Sequence, residues 1–258
     1  MLKRLLDPKG HEICYLGLGE EGGALPAFFY FAFSGEESLE LDPYSQPALL
    51  TAAPDLRVFS FTIPGHGPGQ NKFHAIEFWA KQMEQENSLL ETFFQEVIDS
   101  IHWLIEIGLV DPNHMAVGGL SRGGFVATHI AARDPRIHTI LGFAPLTKLS
   151  KMKEFEKRGV TSTRLKRKSE SLDLEHLIDH LTHVRNFRFY IGNRDTRVGT
   201  DICYHFIRQL AEKGHEKRAR HQKIELRLTP AIGHQGHGTA PQTFEEGALW
   251  VKQQLQKT

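Results

Sequence analysis

The 258-residue sequence predicts an α/β fold with a mainly parallel central sheet flanked by helices. Three observations point there. Short apolar runs alternate with segments of helical period. The run over residues 25–33 (LPAFFYFAF) is apolar almost throughout, as suits a strand buried on both faces. Glycine- and proline-rich turns close several of the strand-like runs.

Each element follows from its local pattern. Residues 12–18 (EICYLGL) and 25–33 read as strands joined across a Glu-Glu-Gly-Gly turn. Residues 57–63 make a third strand, ended by Pro64-Gly65-His66-Gly67-Pro68-Gly69. From about Asn87 to Gly108, Leu89, Leu90, Phe93, Phe94, Val97, Ile98, Ile101, Leu104 and Ile105 recur at spacings of three and four, an amphipathic helix stopped by Gly108 and Pro112. A strand at 114–118, a helix from Arg122 to Ala132 and a strand at 138–143 follow. The last elements are a strand at 187–192, a helix from Asp201 to Lys213, a strand at 223–228 and a helix from about Thr243 to Gln256. Residues 150–184 break this rhythm with a basic run (Lys157, Arg158, Arg164, Lys166, Arg167, Lys168) and the helix-like LDLEHLIDHL. They read as an excursion between strands, a small cap or connection. With no repeat and no linker, residues 1–258 are expected to form a single domain.

Composition narrows the function. Lys plus Arg and Asp plus Glu each number 31, so the formal net charge is zero and no global footprint for nucleic acid exists. A 40% hydrophobic and 24% charged chain is also far from the disordered class. Cys14 and Cys203, distant in sequence, suggest neither a disulfide framework nor a cysteine zinc site. The apolar run at Leu5 and Leu6 is too short for a signal-peptide core, and no stretch reaches membrane-span length. The expectation is a cytoplasmic protein with no membrane span.

The sharpest motif is Gly118-Gly119-Leu120-Ser121-Arg122-Gly123-Gly124 between a short apolar strand and a helix. That is the context of a G-x-S-x-G nucleophile elbow, with Gly119, Ser121 and Gly123 as its fixed positions. A serine nucleophile needs a base to take its proton and an acid to orient that base. Asp195 follows the strand at 187–192, and His234 follows the strand at 223–228. His237, three residues on, is the alternative base, with His234 preferred. For Asp195, a triad acid is favoured over a solvated carboxylate among Arg194, Arg197 and Asp201.

On these residues the chain resembles the α/β-hydrolases, most of all the prolyl-oligopeptidase and dienelactone-hydrolase-like branch, over roughly Leu25 to Leu255. The resemblance implies a serine hydrolase with Ser121, Asp195 and His234 as the catalytic triad. It also implies an oxyanion hole built from the Arg122 amide and from Ser34, Gly35 or Glu36, where Ser34 stands in place of the family's usual histidine. The segment after residue 143 offers no carboxylate for the fold's other acid position, which favours Asp195.

Other readings carry less weight. Histidine pairs such as His66 with His74 suggest zinc only weakly among 15 histidines without a His-Glu-x-x-His pattern, so no metal is expected. No nucleotide-binding glycine turn is visible, so no cofactor is expected. The Arg122 guanidinium reads as scaffold paired with a buried acid, ahead of a role in binding a substrate anion. The basic run reads as a solvated face, and the aromatics of residues 28–33 as core. The function expected is hydrolysis of a carboxylic ester of a small-molecule substrate through an acyl-enzyme. The alternatives are a small peptidase or thioesterase, or a noncatalytic binding protein on the same scaffold.

Overall fold

A computed structural model describes residues 1–85, 88–219 and 221–256. Among the described residues eight strands form one sheet: β1 (Lys3–Leu6), β2 (Glu12–Leu16), β3 (Leu25–Phe31), β4 (Arg57–Phe61), β5 (Val110–Leu120), β6 (Ile137–Phe143), β7 (Asn186–Gly192) and β8 (Lys223–Thr229). Their order is β1-β2-β4-β3-β5-β6-β7-β8. The β1–β2 and β2–β4 pairs are antiparallel, and every later pair is parallel. The helices are α1 (Gly35–Glu40), α2 (Gln46–Thr51), α3 (Ala75–Glu84), α4 (Leu89–Glu106), α5 (Arg122–Ala131), α6 (Lys153–Gly159), α7 (Thr163–Ser171), α8 (Thr200–Glu216) and α9 (Pro241–Leu255). The sheet is therefore mainly parallel with helices on both faces, as its alternating pattern requires.

The apolar run of β3 is divided between two cores by the period-two alternation of a strand. Ala27, Phe29 and Phe31 face the core built with Trp79 of α3, Phe94 of α4, Phe125 of α5 and Phe206 of α8. Phe28 and Tyr30 face the other, with Leu39 of α1, Ala48 of α2 and Phe244 and Val251 of α9. Within α4, the periodic residues Leu90, Phe93, Phe94, Val97, Ile98, Ile101 and Leu104 are the buried ones. Asn87, the expected start of this helix, lies outside the described residues.

The structure adds elements that pattern alone did not reveal. Residues 3–6 pair with β2 as an edge strand, with the alternate burial of a half-exposed ribbon. The expected strand at 114–118 is the inner part of the longer β5. In the excursion, α6 and α7 pack on each other and on α3, and LEHLIDHL is a 3-10 run rather than an α-helix. Arg158 reaches Glu84 at 2.9 Å and Glu77 at 3.4 Å on α3, so part of the basic run fastens this cap to the body. Among the described residues no helix is long and apolar enough to cross a membrane.

Candidate active site

β5 ends at Leu120 and α5 begins at Arg122, so Ser121 alone turns the chain between them, at φ 54° and ψ −114°. A non-glycine residue at positive φ is strained and persists only where its surroundings fix it. They do so here. The Ser121 amide donates to the Phe143 carbonyl at 2.8 Å, and its carbonyl accepts from the Gly124 and Leu146 amides, each at 3.0 Å. A Cβ on Gly119 or Gly123 would collide with the Phe31 carbonyl at the end of β3. The motif's two glycines are thus needed because β3 passes directly under the turn.

Asp195, in the loop after β7, is buried. Its Oδ1 accepts from the Arg197 amide at 2.9 Å and the Val198 amide at 3.0 Å. Its own amide donates to Thr200 Oγ1 at 2.9 Å, and that hydroxyl donates to the Gly192 carbonyl at 2.6 Å. Asp195 Oδ2 lies 2.7 Å from His237 Nδ1, and His237 Nε2 lies 2.8 Å from Ser121 Oγ.

The structure therefore corrects the expected base: His237, not His234, joins Ser121 to Asp195. The cause is the backbone between them. Gly233, Gln235 and Gly236 all have positive φ, and the chain makes a tight 3-10 turn over His234–Gly236. The Gln235 carbonyl accepts from the Thr196 amide at 2.9 Å and its hydroxyl at 3.2 Å, while the Ala231 amide donates to Asn193 Oδ1 at 3.1 Å. The turn is thereby tied to the loop that carries Asp195, and the position after it is aimed at Ser121. His234, at the head of the turn, is exposed at the rim and bonds neither Ser121 nor Asp195. Its spacing from the strand gave no sequence signal against it.

Of the expected second oxyanion donors, one amide is already engaged. The Gly35 amide donates to Thr62 Oγ1 at 3.0 Å. Ser34 caps α1, its hydroxyl accepting from the Glu37 amide at 3.1 Å, and it lines a neighbouring hollow rather than the one holding Ser121. The sequence Ser34-Gly35-Glu36-Glu37 carries the S-x-x-E capping pattern, which was the available signal. The Arg122 amide stands at the first position of α5, where it has no intrahelical carbonyl to bond.

Ser121 and His237 open into a cleft of about 390 Å³. Phe33, Tyr44, Phe73, Leu120 and Phe244 form its apolar wall, and Arg122 and Arg197 its cationic one. Arg197 is neutralised by Glu154, with contacts at 2.7 and 3.1 Å. Arg122 has no such acid. Its guanidinium lies 5.8 Å from the centre of the Phe33 ring, but its Nε is sealed from solvent without a partner, and no carboxylate among the described residues pairs with it. Burial and nearby Arg197 push it down to about 10, still charged at neutral pH. His66 is buried beside it with neither ring nitrogen bonded, and burial, Arg122 and Lys72 push it down to about 3. The scaffold ion pair expected for Arg122 is therefore absent among the described residues.

A nucleophile elbow at the carboxyl ends of a parallel sheet, closed by a carboxylate after β7 and a histidine after β8, defines the class: a serine hydrolase on the α/β-hydrolase fold. The profile of the prolyl oligopeptidase family matches residues 77–258, and the chain belongs to that family. It is 30% identical over 128 residues to the acylamino-acid-releasing enzyme of Arabidopsis thaliana, a match covering 43% of this chain and 17% of that enzyme. Among solved structures, the puromycin-hydrolyzing peptidase of Mycobacterium tuberculosis superposes with a TM-score of 0.63 at 16% identity, over 99% of this chain and 40% of that one. An acetyl xylan esterase from Paenibacillus superposes with a TM-score of 0.62 at 17% identity, over 98% of this chain and 88% of that one. At these identities the structural likeness is one of fold. The chain thus spans less than a fifth of its curated relative.

Proposed function

We propose that this serine hydrolase cleaves carboxylic esters of small molecules, with Ser121 as nucleophile, His237 as base and Asp195 as orienting acid. The observation that carries the reading is the unbroken hydrogen-bonded chain from Ser121 Oγ through His237 to Asp195. Asp195 holds Nδ1 protonated, which leaves the Nε2 lone pair to receive the Ser121 proton. Ser121 Oγ then bonds to the ester carbonyl carbon, and the carbonyl oxygen takes the negative charge, facing the Arg122 amide and the amino end of α5. Collapse breaks the bond to the leaving alkoxide, which takes the proton from Nε2. Water repeats the sequence on the acyl-enzyme, giving the carboxylic acid and restoring Ser121.

A second reading, cleavage of an amide beside an acylated residue, is supported by the likeness to the acylamino-acid-releasing enzyme. One experiment tests both. The purified protein is treated with a fluorophosphonate probe and then assayed on 4-nitrophenyl acetate and on the anilide of an N-acetylated amino acid. Labelling at Ser121 with ester turnover alone is expected. Anilide turnover at comparable kcat/KM would replace the first reading by the second, and a folded protein that neither labels nor turns over would overturn both.

A further inference from the structure

The cleft holds one guanidinium, that of Arg122, with which no carboxylate among the described residues forms an ion pair, Glu154 acting on it only from farther off. Arg197 has Glu154, and Lys72, across Phe33, has Glu37 at 2.7 Å. His66 is held neutral by burial and by Arg122 and Lys72. Arg122 faces them with only an aromatic ring beneath it and a sealed Nε that donates to nothing. Sealing a nitrogen of a charged guanidinium from water without a partner is costly, and structural arginines avoid that cost by saturating their donors. Arg57 shows the usual solution within this same chain, donating to four backbone carbonyls.

We propose that Arg122 is the specificity-determining residue of the site, receiving a carboxylate that the substrate carries near its scissile ester. The inference rests on the ester-hydrolase reading above and deepens it. A guanidinium presents a planar fork matched to a carboxylate, and this one follows the nucleophile directly in sequence and lines the same cleft. The anion would supply the missing counter-charge, and the apolar wall of Phe33, Tyr44, Phe73 and Phe244 would take the rest of the molecule. The substrates are then mono-anionic esters, with the carboxylate on the acyl part or on the leaving alcohol.

Two matched pairs of esters separate these sources. Mono-(4-nitrophenyl) adipate against 4-nitrophenyl hexanoate places the charge on the acyl side. Acetylated 4-hydroxybenzoate against its methyl ester places it on the leaving group. Wild-type protein is expected to prefer the anionic member of one pair by about 10- to 100-fold in kcat/KM, the range of a charge-assisted hydrogen-bonded pair. R122M should bring that ratio to about 1 or below, and R122K should retain part of it. Equal or poorer use of the anionic ester by wild type in both pairs overturns the proposal without any variant. So does an unchanged ratio in R122M. Failure of the ester-hydrolase reading is distinct: no neutral ester would turn over and Ser121 would not label.

Discussion

Arg57 and Arg122 lie at opposite ends of the central strands, and the contrast between them separates the two ends of the molecule. Arg57, at the start of β4, is fully buried, and its donors go to the carbonyls of Leu18, Gly19, Gly23 and Leu109 in the loops that feed the sheet. Arg122, past the far end of β5, lines the cleft, and its Nε is sealed from solvent without a partner. Two histidines repeat the pattern. His129, within α5, has Nε2 at 2.9 Å from the Leu172 carbonyl and Nδ1 at 3.0 Å from Arg133, whereas His66 at the cleft end has no partner for either nitrogen. One end spends its polar groups on holding loops together, and the other keeps them open for a ligand. Polar substitutions should cost stability at the first end and activity at the second.

The largest effects test the cleft end. S121A and H237A should each lower kcat by about 10⁴-fold or more while leaving the unfolding free energy within about 1 kcal/mol of wild type. H234A should keep activity within a few-fold. If H234A instead matched H237A, the assignment drawn from the His237 geometry would be wrong.

Next in size is the pair of arginines. R57M strands four buried carbonyls and should cost about 3 kcal/mol or more in urea unfolding, whereas R122M removes a charge that has no ion-pair partner among the described residues and should cost less than about 1 kcal/mol. Equal losses in the two variants would dissolve the contrast. The smallest effect is acid sensitivity. Burial and neighbouring Arg133 push His129 down to about 3, and His66 behaves likewise, so both imidazoles stay neutral in the fold at mildly acidic pH. The unfolded chain takes up those protons below about pH 6.5, so stability is full above that pH and falls below it. Between pH 7 and pH 5.5 each should cost about 1 kcal/mol, and H129F should show a shallower pH dependence than wild type.

Much of the sheet was legible because its strands are apolar enough to be read without partners, β3 above all. The elbow was legible for a similar reason, since the close approach of β3 admits only glycine at positions 119 and 123 and so leaves a mark in the sequence. The short elements were not. Helices α1 and α2 have six residues each, too few for periodicity to register, and β1 is defined by its pairing with β2 rather than by its own four residues. The choice between His234 and His237 depended on the positive φ of Gln235, a residue type that announces no such conformation. It depended as well on bonds from Thr196 and Asn193, more than thirty residues away along the chain. The open donors of Arg122 were equally hidden, because a missing partner is a property of the assembled fold.

Strand β8 has no buried residue, whereas six of the seven residues of its neighbour β7 are buried. His237, the proposed base, therefore hangs from the most loosely embedded strand at that edge, and Asp195, its proposed acid, from a firmly embedded one. Partial opening of such an edge requires much less free energy than opening the whole molecule. Amides of β8 should exchange with deuterium well before those of β7. On warming, hydrolysis should switch off reversibly several degrees below the midpoint of the main calorimetric transition, with the central sheet still intact.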